Sequence, residues 1–340
     1  MDTEKIRAKI AKGWKPNKYL TNMSMAFFAD PKDFIATKIF PICPVSNSTG
    51  HFYVYDKGDL ARDNVSRKPA FGKVNPAQMG HTEDTFKCVT DQIIVGIDQI
   101  GALDYERGGA PASIDPRRAK VRFVAEQQLL HLDNIFAAKF FKTGAWTNEY
   151  EGIASGTPSA TQFIRFDDAN SDPIKFIDAR KREIKLMGRR MPNKLVLGYD
   201  TFNALKDHPD LVERVKYTGT TANPAKVSES VLAQLFGVDE VVVLEATYNA
   251  AEQGQPDDMK FICESDGMLL CYTTNAPAID EPSAGYIFTW DMLGNGSYMA
   301  MDQWEGDDGT HTEFIEGLIS TDMKKTCDDL AVYCKTCVSI

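Results

Sequence analysis

The most regular alternation of hydrophobic and polar positions in this chain begins at Asp115-Pro116 and predicts one long helix. The apolar positions on its predicted inner face are Val121, Ala125, Leu129, Leu132, Phe136 and Phe140. Their spacings of three and four residues keep side chains on one face of an α-helix. Asp115 suits the N-cap, Pro116 suits the first helical position, and Gly144 ends the pattern. We therefore predict a helix over residues 116–142, about 40 Å long at a rise of about 1.5 Å per residue.

Two segments rich in β-branched and aromatic residues, 51–56 and 86–97, predict strands. The connection between them is polar, is interrupted repeatedly by glycine and proline, and holds too few apolar residues for a core of its own. A connection of this length is unusual inside a compact domain and is usually functional. We therefore predict a long projecting hairpin. Residues 1–20, which are basic and poor in apolar residues, predict an extended arm.

The middle of the chain predicts helices that alternate with short buried strands. The predicted elements are a helix starting at Asp172-Pro173 with Ile174, Ile177, Ile184 and Met187 on one face, a strand over Lys194–Gly198, a helix capped by Asp200, a helix starting at His208-Pro209, a helix from Ser228 to Gly237, and a strand over Val241–Leu244. Residues 144–172 predict a loop, and Met259–Tyr272 predicts two short strands interrupted at Asp266-Gly267. From Thr310 onward the alternation is weak.

Composition limits the class of protein but does not indicate a particular reaction or ligand. A chain of 340 residues with 43% hydrophobic residues can bury a sizeable core. A net charge of −10 disfavours general polyanion binding, because affinity for nucleic acid depends mainly on cations that neutralise phosphates. It still allows a protein that only encloses nucleic acid. The sequence contains no apolar run of the roughly 20 residues that a membrane helix needs, so we expect no membrane association.

Candidate catalytic and metal-binding residues do not form a recognisable pattern. Cys334 and Cys337 form a lone CxxC pair, with Cys327 nearby, but no second ligand pair follows at a zinc-site spacing. Seven cysteines, an odd number, favour reduced thiols in a protein made in a cytoplasm. The acidic doublets favour solvated turns, and the five histidines accompany no nucleophile motif. We therefore expect no catalytic residue, no cofactor and no metal, and hence not an enzyme.

One basic segment stands out against the acidic average. Between Lys175 and Lys194 there are eight Lys and Arg residues and only two acidic residues. Such a segment suits contact with nucleic acid or with an acidic patch on a neighbouring subunit. A solvated helix face explains it equally well.

The order of motifs in the second half of the chain resembles tailed-bacteriophage major capsid proteins. The residues that carry this resemblance are Leu-Val-Leu-Gly-Tyr-Asp at 195–200, His-Pro-Asp-Leu-Val-Glu-Arg-Val-Lys-Tyr at 208–217, Leu-Ala-Gln-Leu-Phe-Gly-Val at 232–238 with Val-Val-Val at 241–243, and Pro-Ser-Ala-Gly-Tyr-Ile-Phe-Thr-Trp at 282–290. The predicted arm, hairpin and long helix occupy the places of the family's N-terminal arm, extended loop and spine helix.

The resemblance implies the Hong Kong 97 phage-type capsid fold, which belongs to the α+β class. It combines an N-terminal arm, an extended β-hairpin loop, a peripheral domain with a long spine helix, and an axial domain. The implied divisions are an arm and lead-in over 1–45, the extended loop hairpin over 46–98, the peripheral domain over 99–172 with the spine helix at 116–142, a mainly axial domain over 173–285, and a return to the peripheral domain over 286–340.

The resemblance also implies a function. The chain would be a structural subunit of an icosahedral phage head, assembling with copies of itself into hexamers and pentamers. The shell would enclose packaged double-stranded DNA without sequence-specific binding, and its other partners would be portal, scaffolding and decoration proteins. Its location would be the head shell of the virion, after synthesis in the host bacterial cytoplasm.

Four charged residues of the predicted hairpin are candidate inter-subunit contacts: Arg62, Asp63, Arg67 and Lys68. Two other functions stay open at this stage. An encapsulin-like cellular compartment shares the fold and encloses cargo enzymes instead of DNA. An α/β enzyme that binds a nucleotide near Gly198 or Gly237 is disfavoured, because neither glycine belongs to a phosphate-binding motif.

Overall fold

The computed structural model of the chain describes residues 34–55, 57–68, 70–74, 76–77, 80–100, 116–216, 227–252, 254–277, 281–292 and 298–340. The helices are α1 (Ala36–Ile39), α2 (Lys57–Ala61), α3 (Pro116–Phe140), α4 (Pro173–Gly188), α5 (Tyr199–Asp207), α6 (Pro209–Lys216) and α7 (Glu229–Phe236). The strands are β1 (Ile42–Val45), β2 (Thr49–Tyr55), β3 (His81–Lys87), β4 (Val89–Asp98), β5 (Glu149–Ile153), β6 (Gln162–Ile164), β7 (Lys194–Gly198), β8 (Glu240–Leu244), β9 (Thr247–Asn249), β10 (Met259–Phe261), β11 (Met268–Cys271), β12 (Gly285–Trp290), β13 (Met299–Glu305), β14 (Thr312–Lys325) and β15 (Ala331–Lys335). The predicted arm over residues 1–20 lies outside the described residues.

A six-stranded mixed sheet forms the centre of the larger core. Its strand order is β6-β5-β15-β11-β7-β8, with β11 antiparallel to both β15 and β7. Strands β7, β11 and β15 are apolar over most of their length and are almost completely buried. Continuous apolar runs of this kind are typical of strands that are covered on both faces. Helices α4, α5 and α7 contribute Ile177, Leu205 and Phe236 to the same core.

The second large sheet is built around the 14-residue strand β14. One stretch of β14, Thr312–Thr321, pairs antiparallel with β4, and β13 and β12 also pair antiparallel with β14. Strand β1 adds to β12 in parallel. The long helix α3 lies on this sheet, and Gly317 allows the close approach, because a Cβ there would lie 2.4 Å from Val124 Cγ1.

The apolar face predicted for the long helix is confirmed. All six of its predicted inward residues are buried, each with an exposure of 5% or less. The helix ends at Phe140, two residues before the predicted end, and Trp146 Nε1 donates a hydrogen bond to the Phe140 carbonyl oxygen at 2.8 Å. At about 1.5 Å per residue its 25 residues form a rod of roughly 37 Å.

The predicted hairpin is present, and its stem is fixed to the β14-containing sheet. Strands β2 and β3 pair antiparallel from Thr49 opposite Lys87 to Tyr55 opposite His81. The Phe86 ring stacks on Phe288 of β12 with centroids 4.6 Å apart. The strand predicted over 86–97 is in fact two strands, because the chain changes partner at Cys88, whose N–H donates to the Ser48 carbonyl oxygen at 2.7 Å.

Most of the predicted central elements are confirmed, including the helix that follows Asp172-Pro173. The Asp172 carboxylate accepts a hydrogen bond from the Lys175 N–H at 3.0 Å. Gly237 ends α7 in the left-handed conformation with φ 59°. Strands β7, β8, β10 and β11 match the predicted strands within a few residues.

Three details of the prediction are wrong. Asp200 is not a cap: α5 begins directly after Gly198, and the Asp200 N–H is already bonded to the Ser265 carbonyl oxygen at 3.0 Å. Met187 is 40% exposed, because α4 turns that position away from the core. Residues 144–172 are not all loop, since β5 and β6 extend the central sheet beyond β15.

Candidate assembly surface

The four candidate contact residues lie together in the connection between β2 and β3. Arg62, Asp63, Arg67 and Lys68 are all exposed and follow the short helix α2 without regular secondary structure. Asp63 accepts a hydrogen bond from the Val65 N–H at 3.0 Å, which forms a local turn. Among the described residues, none of the three cations of this group lies within ion-pair distance of a carboxylate. Their contact with a neighbouring subunit stays a prediction.

The hairpin tip, defined as residues 57–80, is a closed loop. The Asp59 carboxylate accepts a hydrogen bond from the Gly80 N–H at 3.0 Å, which joins the two ends of the loop just beyond the last strand pair. Val65 and Phe71 are nevertheless almost fully exposed. The charges of this segment were predictable contact residues from the sequence, whereas the exposure of its apolar side chains was not. The only sequence signal was one aromatic residue in a polar loop.

The spine helix α3 is fixed to the sheet by polar contacts along its length. Arg117 pairs with Glu313 at 2.7 Å, and Lys139 pairs with Asp322 at 3.2 Å. Between them, the carboxylate of Asp133 is buried and accepts hydrogen bonds from the backbone N–H groups of Ile35 and Ala36, the latter at 2.8 Å. Asp133 therefore ties the start of α1, where the described chain begins, to the middle of the spine helix.

Burial makes the Asp133 carboxyl sensitive to pH. Desolvation raises its pKa from the ordinary 3.8 to about 6, although the N–H groups of Ala36 and Ile35 and the charge of Lys38 act in the opposite direction. The folded state therefore binds a proton at Asp133 more tightly than the unfolded state does. This contribution favours the folded state at low pH and is lost as the pH rises through about 6.

We expect the wild-type protein to lose stability relative to Asp133→Asn as the pH is raised from about 4.5 to 7. The asparagine variant removes the titration but keeps a side-chain oxygen that can accept the same backbone hydrogen bonds. The difference in free energy of unfolding between the two proteins should change by about 1–3 kcal/mol over this range. Urea titrations at several pH values measure it, and a difference that is flat or rises with pH would contradict the assignment.

The basic segment of α4 is largely used within the subunit. The Arg180 guanidinium pairs with Glu183 at 2.8 Å and lies 3.9 Å from the centroid of the Tyr150 ring. Lys181 Nζ donates to the carbonyl oxygens of Phe236 and Gly237 at the end of α7. Cations at a helix C-terminus stabilise it through the helix dipole. The sequence left open a contact surface and a solvated helix face, and these two side chains fit neither alternative, because they are mostly buried and make contacts within the subunit.

The CxxC cysteines and His208 are buried within the fold. Cys334 and Cys337 are completely buried, and burial raises the pKa of both thiols. His208 is also buried: its Nδ1 accepts the Asp210 N–H at 3.3 Å, and its Nε2 lies 3.0 Å from Ser171 Oγ. The ring therefore fixes the start of α6, as predicted. Among the residues whose placement is known, no group of three or more metal-binding side chains occurs.

In the described part of the chain, no helix is both long and apolar enough to cross a bilayer.

Known proteins that are similar to this chain come from phages or are related to them. No family model matches the chain. The major capsid protein of Burkholderia phage BcepMu is 25% identical over 231 residues, which cover 67% of this chain and 68% of that protein. A phage-related protein from Bordetella bronchiseptica RB50 is similar in structure, with a TM-score of 0.71 at 20% identity, over 95% of this chain and 97% of the other. The capsid structure of cyanophage P-SCSP1u gives a TM-score of 0.54 at 12% identity, over 90% and 89% of the two chains.

The predicted fold is confirmed: the chain has the Hong Kong 97 phage-type capsid fold. The predicted resemblance to tailed-phage major capsid proteins is confirmed as well, because the relative from phage BcepMu is a major capsid protein. The fold and the relative together support the assignment of a phage capsid shell subunit.

Proposed function

We propose that this chain is the repeating structural subunit of an icosahedral phage head, associating as hexamers and pentamers around packaged double-stranded DNA. The observation that carries the proposal is the hairpin. Its stem is fixed by the Phe86–Phe288 stack, whereas its tip is polar, projects beyond the last strand pair and closes on itself through Asp59 and Gly80. None of the described side chains of the tip belongs to the subunit's buried core, and a tip of this kind is suited to contact with a neighbour.

The proposed role is structural and not enzymatic. The most basic segment of the described chain uses Arg180 and Lys181 in contacts within the subunit, and the whole chain carries a net charge of −10. These charges suit a wall that encloses DNA without reading its sequence, since specific and nonspecific DNA binding both depend on cations that face phosphates. Resemblance to a phage major capsid protein favours a phage head over an encapsulin-like compartment.

The remaining parts of the proposal concern domains and partners. The peripheral domain would comprise residues 99–172 and 286–340 and the axial domain 173–285, with strands from 149–164 and 331–335 completing the central sheet. The partners would be copies of the chain together with portal, scaffolding and decoration proteins. The protein would be made in the host bacterial cytoplasm and end in the virion.

We expect the full-length recombinant chain to form closed particles or capsomers, either alone or when coexpressed with a scaffolding protein encoded beside it. Light scattering after size exclusion gives the mass, and negative-stain electron microscopy shows the shape. Particles that copurify with nuclease-resistant DNA from an infected or induced host would support a phage head, whereas particles that hold an enzyme cargo would support the compartment. A strictly monomeric mass in every condition would contradict the proposal.

A further inference from the structure

The hairpin tip holds one aromatic side chain in an unusual position. Phe71 is fully exposed, and its backbone has a φ of 61°, in the left-handed region that favours glycine. Gly72 follows directly and could have taken the left-handed position without cost. A bulky residue in this conformation is held at a cost in free energy, and such outliers concentrate at functional positions.

An exposed phenylalanine on a polar loop has no evident use in a free subunit. Fully exposed large apolar side chains in the described chain are few, and Val65, in the same tip, is another, at 90% exposure. Aromatic side chains contribute most at the centres of protein interfaces, where they become buried in a pocket of the partner. The tip therefore carries two exposed apolar residues in the same segment as the exposed charges of Arg62, Arg67 and Lys68.

Charge indicates which partner suits this tip. Residues 57–80 contain five Lys and Arg and two Asp, a net charge of +3, in a chain whose total is −10. The rest of the chain therefore carries −13, so a second copy presents a surface of opposite average sign to the tip. Complementary charge around a contact speeds association and fixes orientation, while the apolar centre contributes most of the affinity.

We infer that Phe71 anchors the hairpin tip in an apolar recess of a second copy of this chain, with Val65 beside it and with Arg62, Arg67 and Lys68 on the rim facing acidic groups of that copy. This inference rests on the proposed shell function and adds to it the residue that carries the contact. The candidate charges found in the sequence thereby become the outer part of the contact, and the apolar side chain becomes its centre.

The test compares assembly by the full-length wild type with assembly by Phe71→Gly. Glycine suits the left-handed backbone, so this variant should melt at the same or a slightly higher temperature than the wild type. Its yield of particles at a fixed protein concentration should nevertheless fall at least about tenfold, as expected for loss of an interface anchor. Phe71→Tyr, which keeps the ring, should assemble within about threefold of the wild type.

The matched control is Leu186→Ala, which removes a side chain that is 71% exposed on α4, outside the tip. It should assemble like the wild type. If Leu186→Ala loses assembly to the same degree as Phe71→Gly, the effect is not specific to the tip and the inference is wrong. Normal assembly by Phe71→Gly also overturns the inference while leaving the shell function intact. A wild type that never assembles overturns the proposed function instead.

A photo-crosslinking amino acid in place of Phe71 identifies the partner directly. Irradiated particles should contain covalent dimers, and mass spectrometry should locate the attachment in an apolar recess bordered by Asp or Glu on the other chain. Attachment only within the same chain would overturn the inference. Attachment to a host protein in place of a second copy would overturn it as well.

Discussion

Phe136→Ala should lower the free energy of unfolding by about 3–5 kcal/mol, the usual range when a fully buried phenylalanine is truncated to alanine. Phe136 lies on the spine helix with 1% of its surface exposed, and its ring centroid is 5.6 Å from that of Phe40 and 5.9 Å from that of Phe140. Truncation would leave a cavity and would also remove these aromatic contacts. The contact of Phe136 with Phe40 joins the spine helix to the lead-in segment, so the loss of packing should destabilise both.

The control is Phe123→Ala on the same helix. Phe123 is 46% exposed, so its truncation removes a similar number of atoms without opening a buried cavity. We expect that variant to lie within about 1 kcal/mol of the wild type. Urea-induced unfolding of the dissociated subunit, followed by circular dichroism, measures both. If both variants lose the same free energy of unfolding, Phe136 contributes no more to stability than the exposed Phe123, and the inner face of the helix is not the buried face.

The spine helix was predictable because a single physical signal, three- and four-residue spacing of apolar positions, extends from Val121 to Phe140 through most of its 25 residues. The same holds for α7, where an apolar stripe meets a glycine that adopts the left-handed conformation at its end. Local signals of this kind depend only on near neighbours in the chain. The start of α5 shows their limit: Asp200 has the chemistry of a cap, yet the backbone carbonyl of Ser265, 65 residues away, accepts its N–H and the helix starts earlier.

Sheet membership was less predictable because it is decided by distant segments. Strands β5 and β6 have only five and three residues. They become strands because β15 offers an edge to β5, and β5 in turn offers an edge to β6, both in parallel pairing. Strand β14 alternates weakly because it is covered by α3 along one part and pairs with three different strands. Its buried Glu313 breaks the apolar pattern and is accommodated by Arg117 from the helix.

The loop between β2 and β3 was predictable, whereas the exposed side chain of Phe71 within it was not. Glycine, proline and charge in the connection between β2 and β3 indicated a projecting loop that does not belong to the core. Phe71 is exposed and adopts the left-handed backbone conformation, which the sequence does not indicate, because the neighbouring Gly72 is the residue type that favours it. The role of Asp133 was equally hard to predict, because the backbone N–H groups that donate to its carboxylate belong to Ile35 and Ala36, almost one hundred residues earlier in the chain.

Replacing residues 56–80 by Asn-Gly should abolish particle formation and leave the subunit folded. The last strand pair joins Tyr55 to His81, so a two-residue turn can connect the two strands directly. The stem keeps its stack of Phe86 on Phe288. A loop shortened from 25 residues to two loses less conformational entropy on closure, which should stabilise the subunit by about 1–2 kcal/mol.

A second variant separates the length of the loop from its side chains. In it, residues 57–80 are replaced by a Gly/Ser segment of the same length, which keeps the spacing but removes Phe71, Val65 and all charges. Both variants should show cooperative melting, and neither should form particles in light scattering or electron microscopy. If the Gly/Ser variant assembles, the side chains of the tip are dispensable. If the Asn-Gly variant assembles, the tip has no role in assembly at all. A trimmed chain that cannot fold would place residues 57–80 in the core, because only segments that contribute buried contacts or native hydrogen bonds are needed for folding.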